Sequence, residues 1–390
     1  MKKKLLFIIN EPTYFVSHRL AIAIAAREAN YEIHVATGAS VAPLKIHEEK
    51  FAYHAIPLSR KGRNIFTELK SLVAIYRLMK RLKPDIVHLV TVKPVIYGAL
   101  AARFAGVPAV VAAIPGLGYV FIEDYFEARF LRKIVCRLYQ LAFQHNNLKV
   151  IFQNDDDKNK LLAIGALKEI QTTLIHGSGV CLKQYNYLPE PIQLPLKVIM
   201  AARLLCDKGV FEYIEAAKLL RSQGINARFL LAGQLDPGNP SALRDDQLKT
   251  FIASGDIEYV GYCEDIPLLF STINLVVLPS YREGLPRVLA EAGACGRAIV
   301  TTDVPGCKHA IIPGKTGLLA KVKDPLSLAE NIHYLLLNHE IRQAMGHEGR
   351  MLAEREFNIV NVVEKHMAIY NQALQKAPKN KTKAELIGNI

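Results

Sequence analysis

Short apolar runs alternate with longer amphipathic segments along the first half of the chain. The apolar runs, each of strand length, include LLFII, EIHVAT, DIVHLV, AVVAAI and KVIFQN. Segments such as SHRLAIAIAARE and YGALAARFAG lie between them and carry apolar residues at helical spacing. Parallel sheets produce this pattern, because their strands are buried on both faces and successive strands need a helical crossover. The first half therefore predicts an α/β fold.

The alternation stops in YNYLPEPIQLP, residues 185–195, and then resumes. Three prolines within seven residues disfavour both helix and sheet here, so we predict a linker. Beyond it, KVIMAAR, RFLLAG, EYVG, LVVLPS and AIVTTD are strand-like, and GVFEYIEAAKLLRSQG is helical. We predict two successive α/β units, for which 390 residues are sufficient. Ligands of such sheets bind beyond the carboxyl ends of the strands.

The segment EGLPRVLAEAGACG, residues 283–296, places two glutamates eight positions apart around a Gly-Leu-Pro corner. The strand INLVVLPS precedes it, and we predict a helix from Pro286, whose missing N–H has no helical partner in the first turn. The N–H groups of a helix start suit a phosphate, whereas Glu283 and Glu291 can accept hydrogen bonds from hydroxyls. A sugar nucleotide carries both groups. The alternative is a capped helix with one solvated and one structural glutamate.

A pair of cations follows the first strand of the second unit. The loop RLLCDKG places Arg203 and Lys208 where a strand ends and a helix begins. A planar guanidinium and a compact ammonium beside helix N–H groups suit a diphosphate. Solvated Lys and Arg at loop ends are common, so the motif gains weight only together with the two glutamates.

Two loops of the first unit carry further candidates. AIPGLGYVF contains Gly116 and Gly118 after a strand, but it lacks the third glycine and the acidic partner of a dinucleotide site. A nicotinamide cofactor is therefore disfavoured, and the loop is either an ordinary turn or one that brings backbone close to substrate. In NEPTYFVSHRL, His18 is predicted to lie at the start of a helix. FQNDDDKNK is predicted to begin a helix stabilised by its aspartates rather than to bind a metal.

The formal net charge of +13 is unevenly distributed. Residues 1–190 contain 26 Lys and Arg against 15 Asp and Glu, which fits nucleic acid, anionic lipid or a phosphorylated substrate equally well. RKGRNIFTELKSLVAIYRLMKRLKP carries eight basic residues and one acid with apolar residues between them, and EARFLRKIVCRLYQLAFQ is similar but weaker. Such helices either lie on an anionic bilayer or pack on a sheet with a solvated basic face.

Cysteine spacing and hydropathy bear on location. The six cysteines show no C-x-x-C pair, and we expect reduced thiols in a cytosolic compartment. MKKKLLFIIN lacks a small-residue cleavage site and is predicted to be a first buried strand rather than a signal peptide. No apolar stretch has the length of a membrane-spanning helix.

These motifs together resemble those of the retaining glycosyltransferases of family 4, which have the GT-B fold. EGLPRVLAEAGACGRAIVTTDVPGC is similar to the family signature of two glutamates separated by seven residues, and RLLCDKG to its diphosphate-binding turn. YFVSHRLAIAIAA, HLVTVKPVIYGALAARFAGVP, GSGV and LAGQLDPGNP extend the likeness over nearly the whole chain. The likeness is strongest to the branch that builds bacterial capsule, O-antigen and lipid-linked oligosaccharides.

The resemblance implies a role for each donor-site residue. Glu291 would hold the ribose hydroxyls and Glu283 the hydroxyls of the donor sugar. The N–H groups of Gly284 and Leu285 would meet the phosphate. The catalytic set would be Glu283, Arg203 and Lys208, the two cations neutralising the leaving diphosphate.

The sequence offers fewer candidate residues for the acceptor side of the site. From the loops that carry them, we predict that His18, Gly116 and Gly118 lie there, although His18 could instead support a helix N-terminus. Many family members have a histidine just before the glycines, whereas this chain has Pro115. A side chain often given a role near the reacting sugar carbon is therefore missing.

The resemblance also implies the architecture: two Rossmann-like α/β/α domains that face each other across an interdomain cleft. We expect residues 1–185 to form the acceptor-binding domain, 186–196 a linker and 197–357 the nucleotide-sugar domain. Residues 358–376 would form a helix that packs back on the first domain, and 377–390 a flexible basic tail.

The expected activity is transfer of a hexose or N-acetylhexosamine, from a donor that is UDP-linked, to a polyprenyl-diphosphate-linked saccharide. We expect no cofactor, no essential metal and no nucleic-acid partner. The basic first half would attach to the anionic inner face of the bacterial cytoplasmic membrane. A nucleotide-sugar epimerase of the same fold is one alternative, and a basic lipid- or nucleic-acid-binding protein is another.

Overall fold

The computed structural model describes residues 2–38, 41–58, 64–117, 121, 126–239 and 241–376. The strands are β1 (Lys3–Ile9), β2 (Tyr31–Thr37), β3 (Ala52–Ala55), β4 (Ile86–Val90), β5 (Ala109–Ile114), β6 (Leu148–Phe152), β7 (Thr172–Leu174), β8 (Leu196–Ala201), β9 (Ala227–Ala232), β10 (Glu258–Gly261), β11 (Leu275–Leu278), β12 (Ala298–Thr302) and β13 (Gly317–Ala320).

The α-helices alternate with these strands. They are α1 (Pro12–His18), α2 (Leu20–Glu28), α3 (Leu44–Glu48), α4 (Ile65–Leu82), α5 (Val92–Ala105), α6 (Phe126–Ala142), α7 (Asp155–Ala163), α8 (Val210–Ser222), α9 (Asp245–Ala253), α10 (Ile266–Ser271), α11 (Arg287–Ala294), α12 (Pro325–Leu337), α13 (His339–Leu352) and α14 (Ile359–Gln375).

The strands form two parallel sheets. The first has the order β3-β2-β1-β4-β5-β6-β7 and the second β10-β9-β8-β11-β12-β13. Every strand pair is parallel, as in the alignment of Leu5 with Ile86 between β1 and β4. The predicted α/β fold with two successive parallel-sheet units is confirmed. Each sheet reverses its strand order beside its first strand, where the carboxyl ends leave a crevice for a ligand.

The first sheet is covered on both faces. All five residues of β4 and all six of β5 are buried. Helices α4, α5 and α6 cover one face and α2 and α14 the other, and each face has its own apolar core. This burial explains the nearly continuous apolar runs in the sequence.

Helix α14 returns from the second sheet to the first. It packs against α2 and against strands β4, β5 and β6. Asn147 Nδ2 donates a hydrogen bond of 2.7 Å to the carbonyl of Ala373, and Tyr370 Oη lies 2.5 Å from Nδ1 of His88 in β4. The two sheets are therefore joined by two connections, one after β7 and one before α14.

Two helix boundaries differ from the sequence-based expectation. Helix α11 begins at Arg287, and Pro286 is its N-cap residue with extended backbone angles of φ −69° and ψ 118°. The fixed φ of proline suits both positions, so the sequence could not distinguish them. The predicted helix around His18 is in fact two helices, and His18 ends the first one.

Several short elements were not predicted at all. Strands β3, β7 and β13 have only three or four residues and lie at the sheet edges. Over the residues that the structure describes, no helix is long and apolar enough to cross a membrane. All six cysteines are free thiols.

Candidate functional site

A cavity of about 640 Å³ lies between the carboxyl ends of the two sheets. Loops after β1, β4 and β5 supply its first wall, with residues such as Asn10, Thr91 and Pro115. Loops after β8 and β11 supply the second wall, which includes Arg203 and Glu283. The cavity thus lies where the strand order of each sheet reverses, as expected for a ligand site in this class of fold.

Lys208 and Glu283 form an ion pair in this cavity. Lys208 Nζ contacts Glu283 Oε1, and Ser280 Oγ donates to the same oxygen at 2.8 Å. The two charged side chains are 17% and 14% exposed. Gly209 has φ +78°, and a Cβ there would overlap the carbonyl of Pro279, so the turn that carries Lys208 packs directly on the end of β11.

Arg203 lies in the same cavity but has a looser position. Its Nη1 donates to Asp236 Oδ2 at 3.0 Å, and its side chain is 48% exposed. A pair this exposed contributes little to stability and can exchange for a ligand. The structure therefore places both predicted cations on this cavity, with Lys208 beside Glu283 and Arg203 earlier in the same loop.

The backbone of Gly284 lies directly against the first half of the molecule. A Cβ at Gly284 would overlap the carbonyl oxygen of Pro115, and Asn154 Nδ2 donates to the carbonyl of Gly284 at 2.7 Å. Gly284 and Leu285 line the cavity. Gly116 packs against the backbone of Gly284 rather than lining the cavity. Gly118, the other predicted glycine, lies outside the described residues.

Glu291 has a different environment from Glu283. It lies in α11, is 7% exposed, and is not among the described residues that line the cavity. Its Oε1 accepts a hydrogen bond of 2.6 Å from Tyr185 and lies 2.7 Å from Arg287 Nε. Burial raises the pKa of Glu291, and the charge of Arg287 opposes this rise. Arg287 also donates to the carbonyl of Ser17 in the first half.

His18 and Tyr14 form a stacked pair on the first wall. Their ring centroids are 4.0 Å apart with an interplanar angle of 7°, and both residues line the cavity. His18 Nδ1 lies 2.6 Å from Ser17 Oγ. Burial, reinforced by the charge of Arg19, lowers the pKa of His18 to about 3, so its ring is neutral at pH 7. Burial raises the pKa of Tyr14, so its phenol keeps its proton.

A second group of residues lies between the halves, and local sequence patterns do not predict it. Helix α7 begins after the N-cap Asn154, which confirms the predicted helix start in FQNDDDKNK. However, Asp157 in its first turn also pairs with Arg282, the residue before Glu283. Asp156 lies 3.6 Å from Lys308 and 3.4 Å from His309. A run of three aspartates gave only the helix signal, because these partners are far away in sequence.

Within the described ranges, no group of three or more His, Cys, Asp or Glu side chains is arranged to hold a metal ion.

Two family models match the chain. "Glycosyl transferase 4-like" matches residues 4–154 and "Glycosyl transferases group 1" matches residues 191–351. The first match covers strands β1 to β6, and the second spans β8 to β13.

Among relatives, the chain is similar to N,N'-diacetylbacillosaminyl-diphospho-undecaprenol alpha-1,3-N-acetylgalactosaminyltransferase of Campylobacter jejuni. The two are 30% identical over 375 residues, which cover 90% of this chain and 96% of the relative. It is also 24% identical, over 81% of this chain and 82% of the relative, to UDP-Gal:alpha-D-GlcNAc-diphosphoundecaprenol alpha-1,3-galactosyltransferase of Escherichia coli.

Among solved structures, the fold resembles Anabaena Alr3699/HepE in complex with UDP and glucose. The TM-score is 0.74 at 17% sequence identity, over 95% of this chain and 100% of the other. At this identity the likeness establishes the fold alone.

Proposed function

The chain belongs to the family 4 glycosyltransferases of the GT-B fold, and from this premise we propose its donor, acceptor and mechanism. It is a transferase of bacterial surface-polysaccharide assembly. We propose that it moves a hexose or N-acetylhexosamine from a UDP-sugar to a polyprenyl-diphosphate-linked saccharide, with retained configuration. The observation that carries the proposal is the single cavity that contains Lys208, Glu283 and the Gly284 corner opposite His18 and Tyr14.

The second wall of the cavity is assigned to the donor. Lys208 and Arg203 would neutralise the diphosphate, while the N–H groups of Gly284 and Leu285 would donate to its oxygens. Glu283 would accept from the sugar hydroxyls. The ion pair between Lys208 and Glu283 keeps both charges balanced before the donor enters.

Glu291 is assigned to the ribose hydroxyls. Tyr185 donates to Oε1 of Glu291, and Arg287 Nε lies 2.7 Å from the same oxygen, so the ribose would be met by Oε2. The two partners fix the direction of the carboxylate, and a fixed acceptor loses less conformational entropy when it binds a hydroxyl.

The chemistry requires no side-chain nucleophile. The bond between the anomeric carbon and the diphosphate oxygen breaks, and a bond from that carbon to the acceptor hydroxyl forms on the same face. The acceptor proton passes to the departing phosphate oxygen. Lys208 and Arg203 stabilise the charge that develops on the leaving group, and this stabilisation is greatest in the transition state.

The first wall is assigned to the acceptor. Neutral His18 and protonated Tyr14 can bind saccharide hydroxyls without repelling a cation or an anion nearby. The names of the relatives from C. jejuni and E. coli describe acceptors that carry undecaprenyl diphosphate. These names support a polyprenyl-linked acceptor for this chain.

Helices α4 and α6 support attachment to a membrane surface. Ile65, Phe66 and Leu69 of α4 are 79%, 83% and 56% exposed, and Phe130 of α6 is 62% exposed. Basic residues flank these apolar side chains, which is the composition of helices that lie on anionic bilayers. We propose that this surface binds the inner face of the bacterial cytoplasmic membrane.

The donor and the reaction are tested together. Nucleotide sugars are screened for an increase in melting temperature, because a ligand of the native state stabilises it. The best donor is then incubated with and without a polyprenyl-diphosphate-linked saccharide. We expect a glycosylated lipid only when both are present. Conversion of the donor to an isomer without acceptor would identify an epimerase and overturn the proposal.

Membrane attachment is tested with vesicles of phosphatidylglycerol and phosphatidylcholine. We expect sedimentation with the anionic vesicles to weaken in high salt and in Phe66→Ser. The control is Ile192→Ser, since Ile192 is 84% exposed and lies in the chain segment that connects β7 to β8. Binding that is indifferent to lipid charge and to salt would refute the proposed surface.

A further inference from the structure

Arg282 and Asp157 form a buried ion pair between the two halves of the molecule. Arg282 Nη2 contacts Asp157 Oδ1 in the first turn of α7. The Asp157 side chain is fully buried and that of Arg282 is 8% exposed. A desolvated pair of this kind is geometrically strict, because separating the partners leaves unpaired charges in a dry environment.

Asn154 holds the loop that carries Glu283 at a second point, Gly284. Its Nδ2 donates to the carbonyl of Gly284 at 2.7 Å and lies 3.2 Å from Asp157 Oδ2. Its Oδ1 accepts from the Asp157 N–H at 2.8 Å, which caps α7. Both sequence neighbours of Glu283, Arg282 and Gly284, are therefore held by one helix start in the first half.

We propose that Asp157 is a positioning residue, which acts through Arg282 to hold the Glu283 loop in register with the acceptor wall. The proposal rests on the transferase function proposed above. The Glu283 carboxylate is itself held by Lys208 and Ser280, which both belong to the second half. Loss of the Asp157 charge should therefore disturb the alignment of donor with acceptor more than it disturbs donor binding.

The test compares two neighbouring aspartates. Asp157→Asn removes the buried carboxylate at nearly constant shape, and Asp156→Asn removes the adjacent one, which is 35% exposed and contacts Lys308 and His309. We expect Asp157→Asn to lower kcat for transfer by about tenfold or more. Its Kd for UDP should stay within about threefold of wild type, and Asp156→Asn should match wild type in both quantities. Unchanged kcat, or an equal loss of UDP affinity and kcat, would overturn the proposal.

Hydrogen exchange supplies a readout that does not depend on turnover. Amides of residues 282–286 should exchange faster in Asp157→Asn than in wild type or Asp156→Asn. Unchanged exchange in this segment would overturn the positioning role even if activity fell. Faster exchange in a protein whose wild type transfers no sugar would support the positioning role and count against the proposed function instead. If Asp157→Asn lacks a cooperative melt, Arg282→Lys, which keeps the charge, is measured by the same criteria.

Discussion

Replacing Gly284 with alanine inserts a methyl group where the two halves of the molecule touch. The added Cβ would overlap the carbonyl oxygen of Pro115 and lie 2.9 Å from Gln153 Oε1. A side chain could rotate away, but the Pro115 carbonyl is backbone. A normal C···O separation of about 3.3 Å therefore requires the corner to retreat by about 2 Å.

The expected loss of activity follows from this displacement. The N–H groups of Gly284 and Leu285 and the carboxylate of Glu283 would move with the corner. Because a misplacement of about 1 Å can lower a rate by about 100-fold, Gly284→Ala should lower kcat by at least about 100-fold, or about 2.7 kcal/mol. The assay is the initial rate of nucleoside diphosphate release with saturating donor and acceptor.

The control substitution is Gly314→Ala. Gly314 also lies in a loop of the second half, but a Cβ there would meet nothing within 4 Å. Because alanine is disfavoured at a φ of +75°, this substitution should destabilise the folded protein by about 1 kcal/mol. Its kcat should be unchanged. If Gly284→Ala kept a kcat within about threefold of wild type, the close approach of the two halves would have no role in alignment, and the reasoning would be refuted.

Three further predictions concern charge and pH. Lys208→Met should lower kcat by about 100-fold with a smaller change in donor Kd. The control variant is Lys308→Met. Equal kinetics for wild type and Lys208→Met would reject the role of Lys208 at the leaving group. Burial lowers the pKa of His366 to about 3 from its ordinary 6.5. Above pH 6.5 the ring is neutral in the folded and unfolded states. As the pH falls from 6.5 toward 3, only the unfolded chain binds the proton, so the folded state loses stability. In urea titrations, His366→Gln should therefore lose about 2 kcal/mol less stability than wild type between pH 7 and pH 5, and identical losses would contradict the assignment. EDTA should leave transfer unchanged, and activity lost in EDTA but restored by Mg²⁺ would show a metal requirement.

Local sequence patterns predicted the second wall of the cavity well. Glu283, Gly284 and Lys208 belong to two short motifs, each at a junction of strand and helix, and parallel strands place such junctions at one edge. Their common place at this edge could be predicted because it depends on residue type and local spacing. The first wall was harder to predict, since His18 ends a helix of seven residues that only Arg19 separates from α2.

The sequence by itself determined the alternation of strands and helices, the family and the position of the RLLCDKG loop, because these depend on residues near each other in the chain. Only the tertiary structure decided that Glu283 faces the cavity while Glu291 is held by Tyr185. It also decided that Asp157 meets Arg282, 125 positions away. Contacts at such separations form when the two sheets pack together, and their geometry is set by the packing of whole elements rather than by any local pattern of residues.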